Sequence, residues 1–294
     1  QLLSEEFPKE HGKTGEVLTS GSTGRPIRVV KNELTETFWN ALTIRDHLWH
    51  RDPNLRLASI RPLPGNRAPY PEGEFFNNWG GMLAQVFANG PSALLNIGTP
   101  IADQVEWLQR FDPDYILTYP GNIQAIAIHC ERHKIGFPKL KQVHTVSDLL
   151  RPEVRKVCRD VLNVPVIDVY SSAEVGYIAM QCPGTNHYHI QSEHLLVEIL
   201  DDDGICVKPG CTGRVVITDL HNFAMPLVRY EVEDLAVLGS TCSCGRGLPV
   251  IEKILGRTRS MFVLPTGDKY MPLYSDALFE LKKVIPSIKQ TKLI

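Results

Sequence analysis

The chain has 294 residues, 43% hydrophobic and 22% charged, enough to bury the core of one large domain or two of ordinary size. A net charge of −2 gives no electrostatic footing for nucleic acid or an anionic membrane, and no apolar run approaches the roughly 20 residues that span a bilayer. Seven cysteines, an odd number spread through a large chain, fit reduced thiols in the cytoplasm rather than a disulfide framework.

The first landmark is Thr19-Ser20-Gly21-Ser22-Thr23-Gly24-Arg25-Pro26. Apolar and β-branched residues flank it, so the spacing predicts the turn of a hairpin. Glycines let the backbone turn its N–H groups toward an anion, hydroxyls add donors, and Arg25 adds a planar cation suited to phosphate oxygens. The composition suits a phosphate cradle, with an ordinary polar turn as the alternative. It is not a Walker loop, because no Lys-Ser/Thr pair follows Gly24.

Residues 33–49 carry apolar side chains at helical spacing, and Phe38, Trp39 and Trp49 read as core. Residues 55–60 alternate as a strand and run into a proline- and arginine-rich segment, 61–71, whose tip reads as surface. From residue 93 onward strands and helices alternate. Strands are expected at 93–97, 115–118, 143–146 and 164–169, and helices at 101–111, 123–133 and 152–161. That alternation implies a largely parallel sheet covered by helices, with ligands at the carboxyl ends of its strands. The loops after Thr118, Val146 and Val169 should therefore face one crevice.

The last of these loops is Tyr170-Ser171-Ser172-Ala173-Glu174-Val175-Gly176. An aromatic ring at a strand end suits a purine, and a carboxylate four residues on suits Mg²⁺ beside phosphates. Beyond Gly176 the pattern becomes β, with short strands at 195–200, 215–218 and 232–238. The turn Asp201-Asp202-Asp203-Gly204 reads as solvated rather than as a cation site. Cys182, His187 or His189, Cys242 and Cys244 supply three thiols and an imidazole, the donor set of a closed tetrahedral zinc site; unrelated residues on β loops are the alternative. Cys130, Cys158, Cys206 and Cys211 have no such partners.

The order Ser-Gly-Ser-Thr-Gly-Arg-Pro resembles the signature loop of the adenylate-forming enzymes, which include acyl-CoA synthetases, adenylation domains and luciferases. Further motifs follow in sequence: Tyr-Ser-Ser-Ala-Glu, Cys-x6-His, Ala-Met-Pro-Leu-Val-Arg-Tyr, Cys-x-Cys-Gly-Arg and Gly-Arg-Thr-Arg. Together, from about Thr19 to Pro272, they are similar to the phenylacetate–CoA ligase and coenzyme F390 synthetase-like (CapK-type) branch. The resemblance implies an α/β fold: the large N-terminal domain of an adenylate-forming enzyme, with parallel-rich sheets, helices and a β-rich subdomain. Residues 1–255 would be the core and 256–294 the hinge and the start of a mostly missing C-terminal lid.

The resemblance also assigns roles. Ser20, Gly21, Ser22, Thr23 and Gly24 would hold the β- and γ-phosphates of ATP, with Thr23, Arg25 and Glu174 carrying the catalytic charge stabilisation. Tyr170, with Ser171 and Ser172, would pack on adenine, Glu174 would bind magnesium, and Ser147-Asp148-Leu149 would line the adenine and acyl pocket. Asp234 would accept hydrogen bonds from both ribose hydroxyls, and Arg257 would reach ribose or phosphates. Cys182, His189, Cys242 and Cys244 would hold a structural zinc, His189 fitting the family spacing. The implied reaction activates a small carboxylic acid with MgATP and transfers the acyl group to coenzyme A, a carrier protein or an amine. It involves no nucleic acid and no membrane, and a homodimer is left open. Three departures define the rival, a nucleotide-binding homologue without ligase activity. Ala173 stands where Thr or Ser is usual, and Glu233 stands where Gly is usual. The family's catalytic lysine, expected about a hundred residues beyond the hinge, is missing, because Lys282, Lys283, Lys289 and Lys292 come too early.

Overall fold

The computed structural model describes residues 3–18 and 28–257, and the backbone of 262–263 and 269–270. Strands β1 (Thr14–Leu18) and β2 (Arg28–Asn32) pair antiparallel with Leu18 opposite Arg28, so residues 19–27 connect two paired strands, as their flanks predict. The predicted phosphate residues Ser20, Gly21, Ser22, Thr23, Gly24 and Arg25 lie outside the described residues. β2 anchors the ribbon: Val29 and Val30 are buried, and the Asn222 side-chain amide donates to the Val30 carbonyl at 2.8 Å.

Helix α1 (Glu33–His50) follows β2 without a break. Asn32 is its N-cap, its side-chain oxygen accepting from the Thr35 N–H at 2.8 Å. Near its other end the buried Asp46 carboxylate takes Arg51 and, at 3.3 Å, His144 Nε2. Burial and the Arg51 cation hold the imidazole of His144 well below the usual histidine range. The Asp46–His144 contact ties the helix to β7, and the buried Arg51 offsets the Asp46 charge, so removing Arg51 would strand that carboxylate in the interior.

The next twelve strands after α1 form one continuous sheet. β3 (Leu57–Arg61), β5 (Ser92–Asn96), β6 (Tyr115–Thr118), β7 (Gln142–Thr145) and β8 (Val166–Ser172) are parallel, with β4 (Glu74–Phe76) added antiparallel at one edge. Helices α2 (Gly81–Val86), α3 (Ile101–Phe111), α4 (Pro120–His133) and α5 (Pro152–Val157) belong to this half. The buried faces of α3, α4 and α5 join Ile60, Leu95 and Ile116 of the strands in one core.

At β8 the sheet turns antiparallel. β9 (Gly176–Gln181), β10 (Tyr188–Ile190), β11 (Leu195–Leu200), β12 (Thr212–Asp219), β13 (Tyr230–Leu238) and β14 (Val250–Arg257) complete it in the order β8-β9-β10-β14-β13-β12-β11. A second core around Ile178, Leu195, Val215, Ile217 and Ile251 lies under this half and takes in Val29 and Val30 of the hairpin. β15 (Phe262–Val263) and β16 (Lys269–Tyr270) pair with each other. The result is the expected α/β core with a β-rich subdomain, the two halves sharing strand β8.

Several local expectations shift. α4 begins at Pro120, three residues before the expected start, because proline at the first helical position gives up an N–H that has no partner there anyway. The expected helix over 152–161 changes to a π-helical turn at Cys158–Leu162, ending on Asn163 in the left-handed region at φ 56°. Trp39, read as core, is 42% exposed. Asp201 to Gly204 is the solvated turn foreseen: the Asp201 carboxylate accepts the backbone N–H groups of Asp203 and Ile205. Among the described residues no helix is long and apolar enough to cross a membrane.

Candidate active site and thiol–imidazole cluster

β6, β7 and β8 run parallel in register, Thr118 beside Thr145 and Thr145 beside Asp168, so their carboxyl ends open on one edge of the sheet. β8 continues to Ser172, three residues past the expected strand end, and turns back into β9 with Ser172 opposite Gly176. Tyr170, Ser171 and Ser172 are thus strand residues, and Ala173-Glu174-Val175 is the tip of a hairpin. A tip with no side-chain constraint on its middle residue leaves the half-buried Glu174 carboxylate free of hydrogen bonds among the described residues.

Tyr170 is 7% exposed, its ring packed in the β-rich core. It reaches the site with its hydroxyl, which donates to Asp234 Oδ2 at 2.8 Å. Two segments 64 residues apart, both singled out in the sequence, meet at this bond. Burial, and then the neighbouring Asp234 charge, raises the Tyr170 hydroxyl well above the usual tyrosine range, so it stays a donor. Asp234 is raised as well, first by burial; Tyr170 and Arg257 pull against that shift, while Glu174 and Glu233 add to it. The Arg257 guanidinium stands 3.9 Å from Asp234 Oδ1 and faces it in register from β14.

Two loops complete the edge. Ser147 follows β7 at φ 73°, and the Asp148 N–H donates back to the Val146 carbonyl at 2.9 Å, a three-residue turn that leaves Ser147 and Asp148 exposed. Leu149 reaches the end of β14, where a Cβ on Gly256 would lie 3.2 Å from its Cδ2. Ser147, Tyr170, Glu174, Asp234 and Arg257 therefore lie around one end of the sheet. Ala173 is exposed at the hairpin tip beside them.

Elsewhere, the sulfur and nitrogen atoms of Cys182, His189, Cys242 and Cys244 lie within 4.8 Å of one another. Cys182 and Cys242 sulfurs are 3.8 Å apart, and Cys244 Sγ is 3.2 Å from His189 Nε2. The sulfur separation is far beyond a disulfide bond of about 2.0 Å and equals the edge of about 3.8 Å that a tetrahedron with Zn–S near 2.3 Å requires. Cys182 and His189 are wholly buried. The Cys244 thiol is drawn down to about 6, first by the Arg246 backbone N–H, favouring the thiolate a metal needs. This donor set and spacing fit zinc. Trp49 of α1 packs edge-on to His189 at 5.9 Å and carries Arg246 over its face at 4.4 Å, so the cluster abuts the helix that follows β2. His187 stands outside the cluster. Cys130 and Cys158 are buried, their thiols pushed up to about 11 and about 12 by that burial, whereas Cys206 and Cys211 are exposed.

Sequence reasoning missed His194, which donates from Nε2 to the Val175 carbonyl at 2.8 Å beside Glu174, and Trp39, whose ring covers Gly176. No local motif marks a histidine 20 positions away, and a tryptophan at helical spacing looks like core.

No family model matches the chain. Among curated proteins it is 27% identical over 277 residues to the phenylacetate–coenzyme A ligase of Thermus thermophilus, covering 91% of this chain and 60% of that one. The enzyme of the same name from Pseudomonas putida is 26% identical over 274 residues, covering 90% of this chain and 60% of its own length. The chain thus spans about 60% of the length of the curated relatives it matches. Among solved structures, an open conformation of 2-hydroxyisobutyryl-CoA ligase in complex with 2-HIB-AMP and CoA aligns over 94% of this chain and 64% of its own. Its TM-score is 0.70 at 18% identity. The anthranilate CoA ligase AuaEII in complex with anthranoyl-AMP aligns over 87% of this chain and 50% of its own, with TM-score 0.61 at 14% identity. The relatives at 25–27% identity and the shared fold together support the adenylate-forming superfamily, on its phenylacetate–CoA ligase-like branch, as the family of this chain.

Proposed function

We propose that this chain is the nucleotide-binding core of a carboxylate-activating ligase that forms an acyl-adenylate and then an acyl-CoA. The observation that supports it most directly is the Tyr170–Asp234 hydrogen bond, which joins the expected adenine and ribose segments beside the Glu174 hairpin. Asp234 has one oxygen held by Tyr170 and the other toward Arg257, an acceptor fixed in direction for a ribose diol. Ser147 and the strand end Tyr170 to Ser172 flank the adenine side, and the loop Ser20 to Arg25 serves the phosphates.

In the first step the substrate carboxylate oxygen attacks the α-phosphorus of MgATP; an O–P bond forms, the α–β bond breaks and pyrophosphate leaves. In the second step a thiol such as that of coenzyme A attacks the acyl carbon and AMP leaves. An amine or carrier-protein acceptor would use the same adenylate. The core contributes position and charge rather than covalent chemistry. Thr23 and Arg25 would neutralise developing phosphate charge, and Glu174 would orient the magnesium that accompanies ATP. At the thiol–imidazole cluster, zinc on Cys182, His189, Cys242 and Cys244 would serve as a structural crosslink between the β9–β10 turn and the segment before β14.

The test is carboxylate-dependent ATP–pyrophosphate exchange by the full-length protein, screened over aryl and short alkyl acids. Exchange that depends on an acid and falls at least about 10²-fold in Arg25→Ala is expected. Nucleotide binding with no acid-dependent exchange would favour the inactive homologue, for which Ala173 in place of a hydroxyl residue is the specific motivation.

A further inference from the structure

Glu174 has no hydrogen bond of its own among the described residues, yet a magnesium ligand needs a fixed direction. The backbone on its carboxyl side is gripped from two sides. His194, 1% exposed, donates from Nε2 to the Val175 carbonyl at 2.8 Å, and its ring stacks on Phe38 at 5.6 Å and on His221 at 6.1 Å. Phe38 and His221 are themselves stacked at 3.8 Å. Burial lowers His194 below the usual histidine range, so the ring is neutral, with Nε2 carrying the proton and the buried Nδ1 unpartnered. On the other side Gly176 sits at φ 81° directly under Trp39, where a Cβ would come within 2.6 Å of the indole. Phe38 and Trp39 are neighbours on α1, nearly two turns from the Asn32 cap that ends β2. Asn32 also reaches the His221 carbonyl at 3.4 Å.

We propose that His194, backed by Phe38, and Trp39 are positioning residues that aim the Glu174 carboxylate at the magnesium of MgATP. The inference rests on the reading of Glu174 as a magnesium ligand. It makes α1 a strut, tying the Glu174 hairpin to the ribbon that carries the phosphate loop. Groups that orient a metal ligand from behind typically contribute 10–100-fold to metal affinity.

The experiment is calorimetric titration of the full chain with AMP and, separately, with ATP over a range of Mg²⁺ concentrations. Glu174→Gln, His194→Ala, His194→Gln and Trp39→Ala are compared, each checked for folding by thermal melt. His194→Ala should weaken MgATP roughly 10–100-fold and leave AMP unchanged, and His194→Gln should restore most of the loss, because its amide can donate to the same carbonyl. Trp39→Ala should act in the same direction from a half-exposed site, and it decides the matter if His194→Ala does not fold. Equal weakening of both nucleotides, or none, in a folded variant would overturn the positioning role. Loss of MgATP affinity in Glu174→Gln with no effect at His194 and Trp39 would overturn this inference alone. An unaffected Glu174→Gln would remove the magnesium reading beneath it.

Discussion

Glu233 occupies a left-handed position at φ 64° in the middle of β13, where Val232, Glu233 and Asp234 bulge opposite the single β12 residue Val215. The family pattern has glycine here, and the backbone keeps the glycine-like conformation although the side chain does not suit it. A non-glycine residue in this region costs about 1–2 kcal/mol, part of which glycine gives back through its freer unfolded chain. Glu233→Gly should therefore stabilise the chain by about 0.5–1 kcal/mol, read as a higher urea midpoint at unchanged slope; a lower midpoint would show that the Glu233 side chain holds the bulge. The substitution also removes a negative charge that raises Asp234, so AMP binding should not weaken.

Asp168 makes a second prediction at this scale. It is 4% exposed, accepts from Thr145 at 2.8 Å and from Tyr188 at 2.9 Å, and burial raises it to about 6 despite both bonds. Between the ordinary carboxylate range and about 6 the folded chain holds a proton that the unfolded chain has lost, so this residue's contribution to stability falls as pH rises and is level above that window. Asp168→Asn should flatten the difference by about 2–3 kcal/mol between pH 4 and 7 in paired urea titrations. Parallel pH profiles for the two proteins would contradict it.

Strands and helices with a strong period were legible: β6 and α3 lie where periodicity puts them, and the β1–β2 ribbon follows from the residues flanking its loop. What was hidden is tertiary. β8 runs on through Tyr170 to Ser172 because β9 pairs with it, and nothing before Gly176 announces that partner. β10 is only three residues long and exists through its neighbours on either side. Of the residues proposed for the site, the cysteines and Asp234 carried readable motifs, whereas no spacing encodes the contacts of His194 with Val175 and of Trp39 with Gly176. At the same scale, β10 and the segment before β14 are expected to be fastened by zinc. Atomic absorption should find one zinc per chain. Cys242→Ala/Cys244→Ala should lose it and melt roughly 5–15 °C lower, since metal-binding energy there is folding energy. A stoichiometric zinc retained by the double variant, or none in the wild type, would contradict the assignment.

Across the whole molecule, one twelve-stranded sheet carries both halves, and the residues proposed to bind nucleotide belong to its parallel strands, its antiparallel strands and the loop that joins β1 to β2. α1 links these parts, with Asn32 at its cap, Phe38 stacked on His194, Trp39 over Gly176 of the Glu174 hairpin, and Trp49 against the thiol cluster. On the proposed reading, such an arrangement would make nucleotide affinity a property of the assembled sheet rather than of one loop. The central claim is that Asp234, oriented by Tyr170, receives the ribose of an adenine nucleotide. Its most direct measurement is calorimetric titration of AMP into the wild-type chain and into Asp234→Ala, with folding of both checked by melting. Loss of two hydrogen-bond acceptances predicts saturable AMP binding in the wild type, weakened about 10–100-fold in the variant. No AMP binding by the folded wild-type chain, or equal affinity in the two proteins, would contradict it.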